Sequence, residues 1–373
     1  MKLRFLEILC CPSCREPLVL HDPRLSRVGR DPSVCAVSCR GDCPFPELTN
    51  KMRDCQECSR YEVTGGSLIC RGCSRRFDIE RGIPQFSLSH SIEAQSDKRR
   101  TAVSYGYLWQ KTWSRQKTWP QIDSYHFEKM EQALKLQPHR GLVLDAGCGQ
   151  GIDLFNHARR PGVEAVGVDL SEGGSRATFE RTTSLVTAHV AQTDLSRLPF
   201  RDNAFDFIYT YGVLHHLPHP EEGLRELVRV LKHQAMLAAY LYEDFEEKPL
   251  LWRGLLFLAN LPRAWTIRLP HRILYLGCSL FSPLLYLAFA VPSQILRRMG
   301  PLRPLGLQLP FRHATGPWSL TGDLYDRYSV PIERRYSRRQ AQRFFEEAGL
   351  TTVTLANEYG WMLAGIKKGP PAS

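Results

Sequence analysis

Short apolar runs closed by an acid or a glycine dominate the middle third of the chain. Val143-Leu144 leads into Asp145, Val163 to Val168 ends at Asp169, and Val186 to Ala191 leads to Asp194. Phe205-Asp206-Phe207-Ile208-Tyr209 makes a fourth run, and Ala235 to Tyr242 a fifth. Runs of this length, apolar at nearly every position, predict strands buried on both faces, as in a parallel sheet. Helical patterns lie between them. The segment Pro220 to Leu231 opens with Pro, Glu and Glu and places Leu224, Leu227, Val228 and Leu231 on one face. The repeat is that of successive βα units, so the predicted class is α/β. Towards the C-terminus, Ser337 with Gln340 predicts a capping box, and Gly349 stops that helix after Ala348. Thr351 to Ala356 and Tyr359 to Ile366 then alternate as an antiparallel pair.

The flanking segments read differently. Tyr125 to Leu136 looks helical, and Ser87 to Thr101 is polar without apolar period, as a linker would be. Tyr105-Gly106-Tyr107-Leu108-Trp109, with Trp113 and Trp119 beyond, is either a lid over a binding site or a helix packing its aromatics on the sheet. From Leu250 to Leu320 there are eight arginines, two histidines and no Asp, Glu or Lys; Ile273 to Pro292 has no charged residue. Three readings stand: a helical cap over the substrate mouth, docking on a membrane surface, and a bilayer crossing. Pro283, Ser279, Ser282 and the position between strands of one sheet weigh against a crossing. The predicted units are 1–88, 89–139 (linker and aromatic lid), 140–249, 250–320 (apolar, Arg-rich cap) and 321–373.

Composition changes the picture at two points. The 373 residues carry 49 Lys and Arg against 38 Asp and Glu, a formal net charge of +11, which suits an anionic partner such as nucleic acid or a membrane surface. Ten of the twelve cysteines lie between Cys10 and Cys73. Met1 to Leu9 has too short an apolar run for a secretory signal, so the expected location is cytoplasmic, at most peripheral at a membrane. Cysteines clustered in such a chain point to metal, not disulfides. Cys11-Pro-Ser-Cys14 and Cys70-Arg-Gly-Cys73 are two knuckles that together predict a tetrahedral zinc site. Four thiolates leave no open position, so this zinc is structural. Cys55-Gln-Glu-Cys58 is a third knuckle. It either holds a second zinc with two of Cys35, Cys39 and Cys43 (the set Cys39, Cys43, Cys55, Cys58), or replaces one outer pair.

The chemistry concentrates at Asp145-Ala-Gly147-Cys148-Gly149-Gln-Gly151. Alternating glycines after a strand let the backbone turn sharply and approach a ligand. The dinucleotide fingerprint would need glycine at 152, where Ile152 stands. The pattern D-x-G-x-G resembles instead the cofactor loop of class I methyltransferases that use S-adenosylmethionine (SAM), and residues 140 to 242 resemble the ubiquinone/menaquinone-type methyltransferases. That resemblance implies a seven-stranded, doubly wound, Rossmann-like sheet. It also implies a SAM site built from Asp145, Gly147, Cys148, Gly149, Gly151, Asp169, Leu170, Asp194, Leu195 and Tyr211. The methionine end would lie at the glycine loop, ribose at Asp169 and adenine at Asp194. One departure is Leu231-Lys-His-Gln-Ala235, where the family has L-K-P-G-G. Residues 3–18 and 66–88 resemble the two halves of a zinc ribbon found in the small activator subunit of tRNA and protein methyltransferases. Of the candidate general bases, His215 comes first and Asp326 next, with Tyr328 and Tyr336 behind; His216 reads as structural. No N-P-P-Y-like tetrad follows the fourth strand, which argues against methylation of an exocyclic amine. The expected acceptor is an oxygen or carbon of a hydrophobic or amphipathic small molecule (quinone, lipid or secondary metabolite). The alternative is a zinc-module RNA methyltransferase acting on a base of ribosomal or transfer RNA. Nothing in the sequence fixes the oligomeric state.

Overall fold

A computed structural model of the chain describes residues 1–28, 61–86, 96–118, 126–137, 139–357 and 360–369. The insert cysteines Cys35, Cys39, Cys43, Cys55 and Cys58, and Trp119, lie outside the described residues. A small antiparallel sheet comes first: β1 (Leu18–Arg27), β2 (Tyr61–Cys70), β3 (Arg76–Glu80) and β4 (Ile83–Pro84). Helices α1 (Ser96–Thr118) and α2 (His126–Leu134) follow. The larger sheet is then built as β5 (Gly141–Ala146), α3 (Ile152–Ala158), β6 (Val163–Asp169), α4 (Glu172–Thr182), β7 (Ala188–Gln192), β8 (Phe205–Tyr211), α5 (Pro220–Val230) and β9 (Leu231–Leu241). An all-helical insertion holds α6 (Leu250–Asn260), α7 (Arg263–Thr266), α8 (His271–Leu285), α9 (Val291–Arg298) and α10 (Arg303–Gln308). The chain closes with α11 (Thr321–Ser329), α12 (Arg338–Glu347), β10 (Leu350–Asn357) and β11 (Trp361–Lys367).

The large sheet has seven strands in the order β10-β11-β9-β8-β5-β6-β7, parallel except for β11, which runs antiparallel to both neighbours. The order reverses at β5 and β8, so a crevice opens beyond their carboxyl ends, where open α/β sheets bind ligands. One face is covered by α2 and α3 through Phe127, Met130, Leu134 and Leu154. The other is covered by α5 and α12 through Leu224, Leu227, Phe344 and Phe345. The predicted capping box of α12 is present: Gln340 N–H donates to Ser337 Oγ, and Ser337 N–H to Gln340 Oε1.

Three local boundaries differ from the sequence expectation. α1 starts at Ser96, inside the stretch read as linker, and its polar residues Lys98 and Thr101 are buried. β9 starts at Leu231, directly after α5, four residues ahead of the apolar run. The departing Lys-His-Gln-Ala is absorbed as an irregularity in pairing with β8, and Gln234 takes φ +62° there. β7 starts at Ala188, two residues late.

The N-terminal sheet shares a core with the large one. Phe5 stacks on His189 at 5.0 Å between ring centroids and packs on Phe200; Leu9 and Leu68 are buried in the same cluster. Main-chain contacts bind the two edges. Phe86 N–H donates to Gln192 O at 2.8 Å, and Cys10 N–H to Pro199 O at 2.9 Å. Arg229 of α5 reinforces this corner, donating to the carbonyls of Leu198 and Phe200 and to Glu226 and Asp202. A third cluster joins α1, α8 and α11 through Leu108, Leu274, Tyr275, Cys278, Leu324 and Tyr325.

Candidate cofactor site and cysteine centre

The glycine loop leaves β5 with Gly147 at φ +87°, a conformation that strains any residue with a Cβ, and a Cβ there would also strike Val213 at 2.2 Å. Gly149 N–H donates to Asp169 Oδ2 at 2.9 Å, so the loop is tied to the end of β6. Ser171 donates to the other oxygen from its N–H (2.8 Å) and its hydroxyl (2.6 Å). Ser171 in turn caps α4, its oxygen accepting from Gly174 N–H. Burial raises the Asp169 carboxyl above its ordinary range despite these donors. Asp145 is 2% exposed. Burial, with Asp153 and Asp169 nearby, pushes its carboxyl well up, and its Oδ2 has no partner.

A crevice of about 680 Å³, open mouth included, lies at these strand ends. Six of the ten predicted cofactor residues wall it: Gly147, Asp169, Leu170, Asp194, Leu195 and Tyr211. Asp145, Cys148, Gly149 and Gly151 shape the loop behind it; the Cys148 thiol donates to Thr178 Oγ1 at 3.4 Å. The opposite wall is α1, through Lys98, Thr101, Ala102, Tyr105 and Trp109. Sequence reasoning missed Lys98 and Thr101 because they lie in a polar stretch with no apolar period. Lys98 donates to Asp194, and Asp194 also accepts from Ser196 N–H and Oγ. The aromatic-glycine-aromatic segment is helical, and its aromatics divide between two faces, neither of them packed on the sheet. Tyr105 and Trp109 face the crevice, while Tyr107 meets His271 and Tyr275 of α8 and Tyr325 of α11. Gly173 of α4 permits the approach of α1: a Cβ there would lie 2.3 Å from Gly106 O.

The histidine pair is arranged against the sequence expectation. His215 is fully buried among Tyr240, Tyr242 and His216, neither ring nitrogen has a partner, and burial pushes its pKa well down. It does not wall the crevice. His216 does. Its Nδ1 lies 2.7 Å from Ile332 O, which makes Nδ1 the protonated nitrogen and leaves Nε2 an acceptor without a partner. Asp326 is likewise a tie, not a wall residue: it accepts from Tyr105 OH at 2.6 Å and Tyr242 OH at 2.9 Å, linking α11 to α1 and the end of β9. Burial, then the Asp326 charge, pushes both phenols well up, so they stay donors. Tyr328 and Tyr336 are not on the crevice wall either.

At the other end of the molecule the two outer knuckles converge. Cys11 Sγ lies 3.6 Å from Cys73 Sγ and Cys14 Sγ 3.3 Å from Cys70 Sγ, with all four sulfurs within 4.8 Å of one another. Zn–S bonds of about 2.3 Å place tetrahedral sulfurs about 3.8 Å apart, so the donor set fits zinc. Burial raises the Cys70 thiol, but N–H groups of Cys73 and Gly72 and the neighbouring thiols outweigh it and bring it down to about 7.

Comparisons with known proteins bear on both ends. Residues 144–239 match the model of a methyltransferase domain, and residues 2–82 that of Trm112p-like proteins. An uncharacterized 37.1 kDa protein in a transposon of Streptomyces fradiae is 34% identical over 105 residues, 28% of this chain and 30% of that one. The demethylmenaquinone methyltransferase of Staphylococcus aureus is 33% identical over 97 residues, 26% of this chain and 40% of that enzyme. The matched stretch thus spans less than half the length of these relatives. Among solved structures, the complex of the Haloferax volcanii Trm112 methyltransferase activator with a methyltransferase has a TM-score of 0.43 at 14% identity, covering 70% of this chain and 97% of that one. A SAM-dependent methyltransferase from Aquifex aeolicus has a TM-score of 0.40 at 16% identity, covering 69% and 97%. The chain joins a Trm112p-like N-terminal module to a methyltransferase domain.

Proposed function

We propose that this chain transfers a methyl group from SAM to an oxygen or carbon of a hydrophobic or amphipathic small molecule. The observation that carries the reading is the crevice at the switch point of the sheet, with acids from three successive strand ends around it. The chain's residues fit the cofactor. Asp145 offers a buried carboxyl oxygen without a partner; burial and its acidic neighbours disfavour its charged form, and a cationic ligand beside it would favour that form. Asp145 and the Gly147–Gly149 turn would hold the amino-acid end, Asp169 the ribose and Asp194 the adenine side, with Lys98 already on that carboxylate. SAM supplies an activated methyl group. α1 excludes water from the crevice, and Tyr105 and Trp109 give it an apolar wall suited to a flat or greasy acceptor. The four N-terminal thiols would hold a structural zinc.

Asp169→Ala should weaken SAM binding by roughly 2 kcal/mol, the scale of a hydrogen bond to a charged group. Isothermal calorimetry on the full chain decides it; equal affinities would remove the ribose assignment. His216 is the general base in this reading, since it walls the crevice and its Nε2, although buried, is an acceptor without a partner. His216→Gln should slow labelled methyl transfer by about 10²-fold while leaving SAM affinity within error. An unchanged rate returns His216 to a packing role. The acceptor class is found by offering labelled SAM and the chain to a lipid extract, an RNA pool and a protein extract in parallel. Label in the RNA pool alone would replace the small-molecule reading with the RNA alternative.

A further inference from the structure

The helical insertion presents apolar side chains to the outside. Of the twenty-one large hydrophobic residues that are exposed among the described residues, nineteen lie between Leu250 and Trp318. α6 is the plainest case: its sequence is LLWRGLLFLAN, and none of its side chains is buried. In α8 the inner stripe of Leu274, Tyr275, Cys278 and Ser282 packs on the domain. The outer stripe, Ile273, Leu276, Leu280, Leu284 and Leu287, recurs every three to four residues, and each member is 60–67% exposed. A helix that is apolar all round has an apolar environment all round. Half of this one is supplied by the protein. These residues were expected to line the crevice or to rest on a membrane; none of them walls the crevice.

We propose that this face docks on the surface of an anionic lipid bilayer, its leucines in the acyl boundary and its arginines at the headgroups. Three observations select that occupant. The first is charge. The segment has no acid, and Arg253, Arg268, Arg272, Arg297, Arg298 and Arg303 are exposed, none in an ion pair with an acid among the described residues. A surface that is both greasy and cationic matches lipid headgroups over acyl chains. A second copy on a two-fold axis would set the same arginines against themselves. The second is the pair of tryptophans, Trp265 at 76% and Trp318 at 61% exposure, a residue type that favours the membrane–water boundary. The third is the way the long helix sits. His271–Arg298 is long and apolar enough to cross a membrane by length and composition, yet its inner stripe belongs to the cluster with α1 and α11. It therefore lies along the domain, where it can enter an interface only from one side.

Docking here would place the bilayer one helix away from the crevice. Tyr275 and His271 of α8 pack on Tyr107 of α1, and α1 walls the crevice with its other face. An acceptor dissolved in the membrane would reach the mouth without crossing bulk water. The docking itself does not depend on methyl transfer.

The test is flotation of the full chain with two kinds of vesicle. One is phosphatidylcholine alone; the other contains about one third phosphatidylglycerol. The chain should float with the anionic vesicles, at least about tenfold more weakly with the neutral ones, and less as salt is raised. Leu276→Glu, Leu280→Glu and Leu284→Glu together should cut flotation by at least about tenfold with the far-UV spectrum unchanged, because these side chains support no core. A second set, Arg297→Gln, Arg298→Gln and Arg303→Gln, should remove the preference for anionic vesicles, and serves if the first set fails to fold. Absence of flotation with either vesicle would overturn the proposal. So would a triple glutamate variant that floats like the parent. A dimer in sedimentation that the glutamates dissolve, without flotation, would assign the face to a second copy. Salt-sensitive binding to single-stranded RNA without flotation would assign it to nucleic acid.

Discussion

A chain carrying Cys11→Ser and Cys70→Ser will purify without zinc and with its N-terminal module unfolded. Each substitution takes one sulfur from each contacting pair, Cys11 from Cys73 and Cys70 from Cys14, so neither half of the site survives. Structural zinc in small modules is worth on the order of 10 kcal/mol, comparable with the whole stability of a domain. Besides the thiols, the module is held by the core that it shares with the large sheet. Among the described residues it has two knuckles, a short helical turn at Leu3–Glu7 and four strands, and the strand furthest from the large sheet, β1, shows mostly exposed side chains. The damage should not stop there. Phe5, Leu9 and Leu68 share a core with Phe200 and Phe205, so an unfolded module uncovers one face of the large sheet at its β7 edge. Elemental analysis and thermal melts with and without chelator measure both effects. Wild-type protein without zinc, melting identically in chelator and matched by the double variant, would show that the thiols hold no metal. Zinc affinity should also weaken in acid, because binding displaces thiol protons; Cys70, at about 7, is the first to give one up.

Local patterns carried much of the fold. Buried parallel strands, a proline-started helix and a capping box each leave their mark within about ten residues, and those elements lie where the pattern puts them, give or take a few residues. What the sequence could not show is pairing at distance. Lys98 reads as one more charge in a polar stretch, since its partner Asp194 is 96 residues on. The two histidines are adjacent in sequence and chemically alike. Only the fold separates them, by turning His216 towards the crevice wall and sealing His215 behind Tyr242. The insertion is the sharpest instance. Composition displays its leucines and arginines fully, but apolar periodicity is the same for a helix whose second face is buried and for one whose second face is bare. Which of the two holds is decided by the neighbours, and α6 has none that bury it.

Glu164 is the last case, and its removal should cost about 3–5 kcal/mol, the scale for breaking a buried ion pair from one side. It sits in the β6 run Val163-Glu164-Ala165-Val166, where a charge looks misplaced. Its partners come from elsewhere. Arg4 of the N-terminal module donates to Oε2 at 2.9 Å, and His189 of β7 donates from Nε2 to Oε1 at 2.8 Å. Burial by itself would raise the carboxyl, but the His189 hydrogen bond, then the charges of Arg4 and Lys2, hold it below the usual range. Burial pushes His189 down, so the pair is a carboxylate facing a neutral imidazole. Glu164→Ala leaves the Arg4 cation and the His189 N–H without an acceptor at the seam between the two sheets. The loss should appear in urea unfolding at neutral pH as a lower midpoint. The sign with pH follows from the direction of the shift. Because the folded pKa lies below the unfolded one, the contribution is fully present above about 4.5 and is lost as pH falls below that value. The gap between parent and Glu164→Ala should therefore close in acid. Replacing the set together, with Glu164→Leu, Arg4→Leu and His189→Phe, should restore part of the loss, since Lys2, the cation then left at this spot, keeps the Ala188 carbonyl as acceptor. A Glu164→Ala chain as stable as the parent at neutral pH would mean that the Phe5 and Leu9 packing and the main-chain contacts of Phe86 and Cys10 hold the module to the sheet without the ion pair.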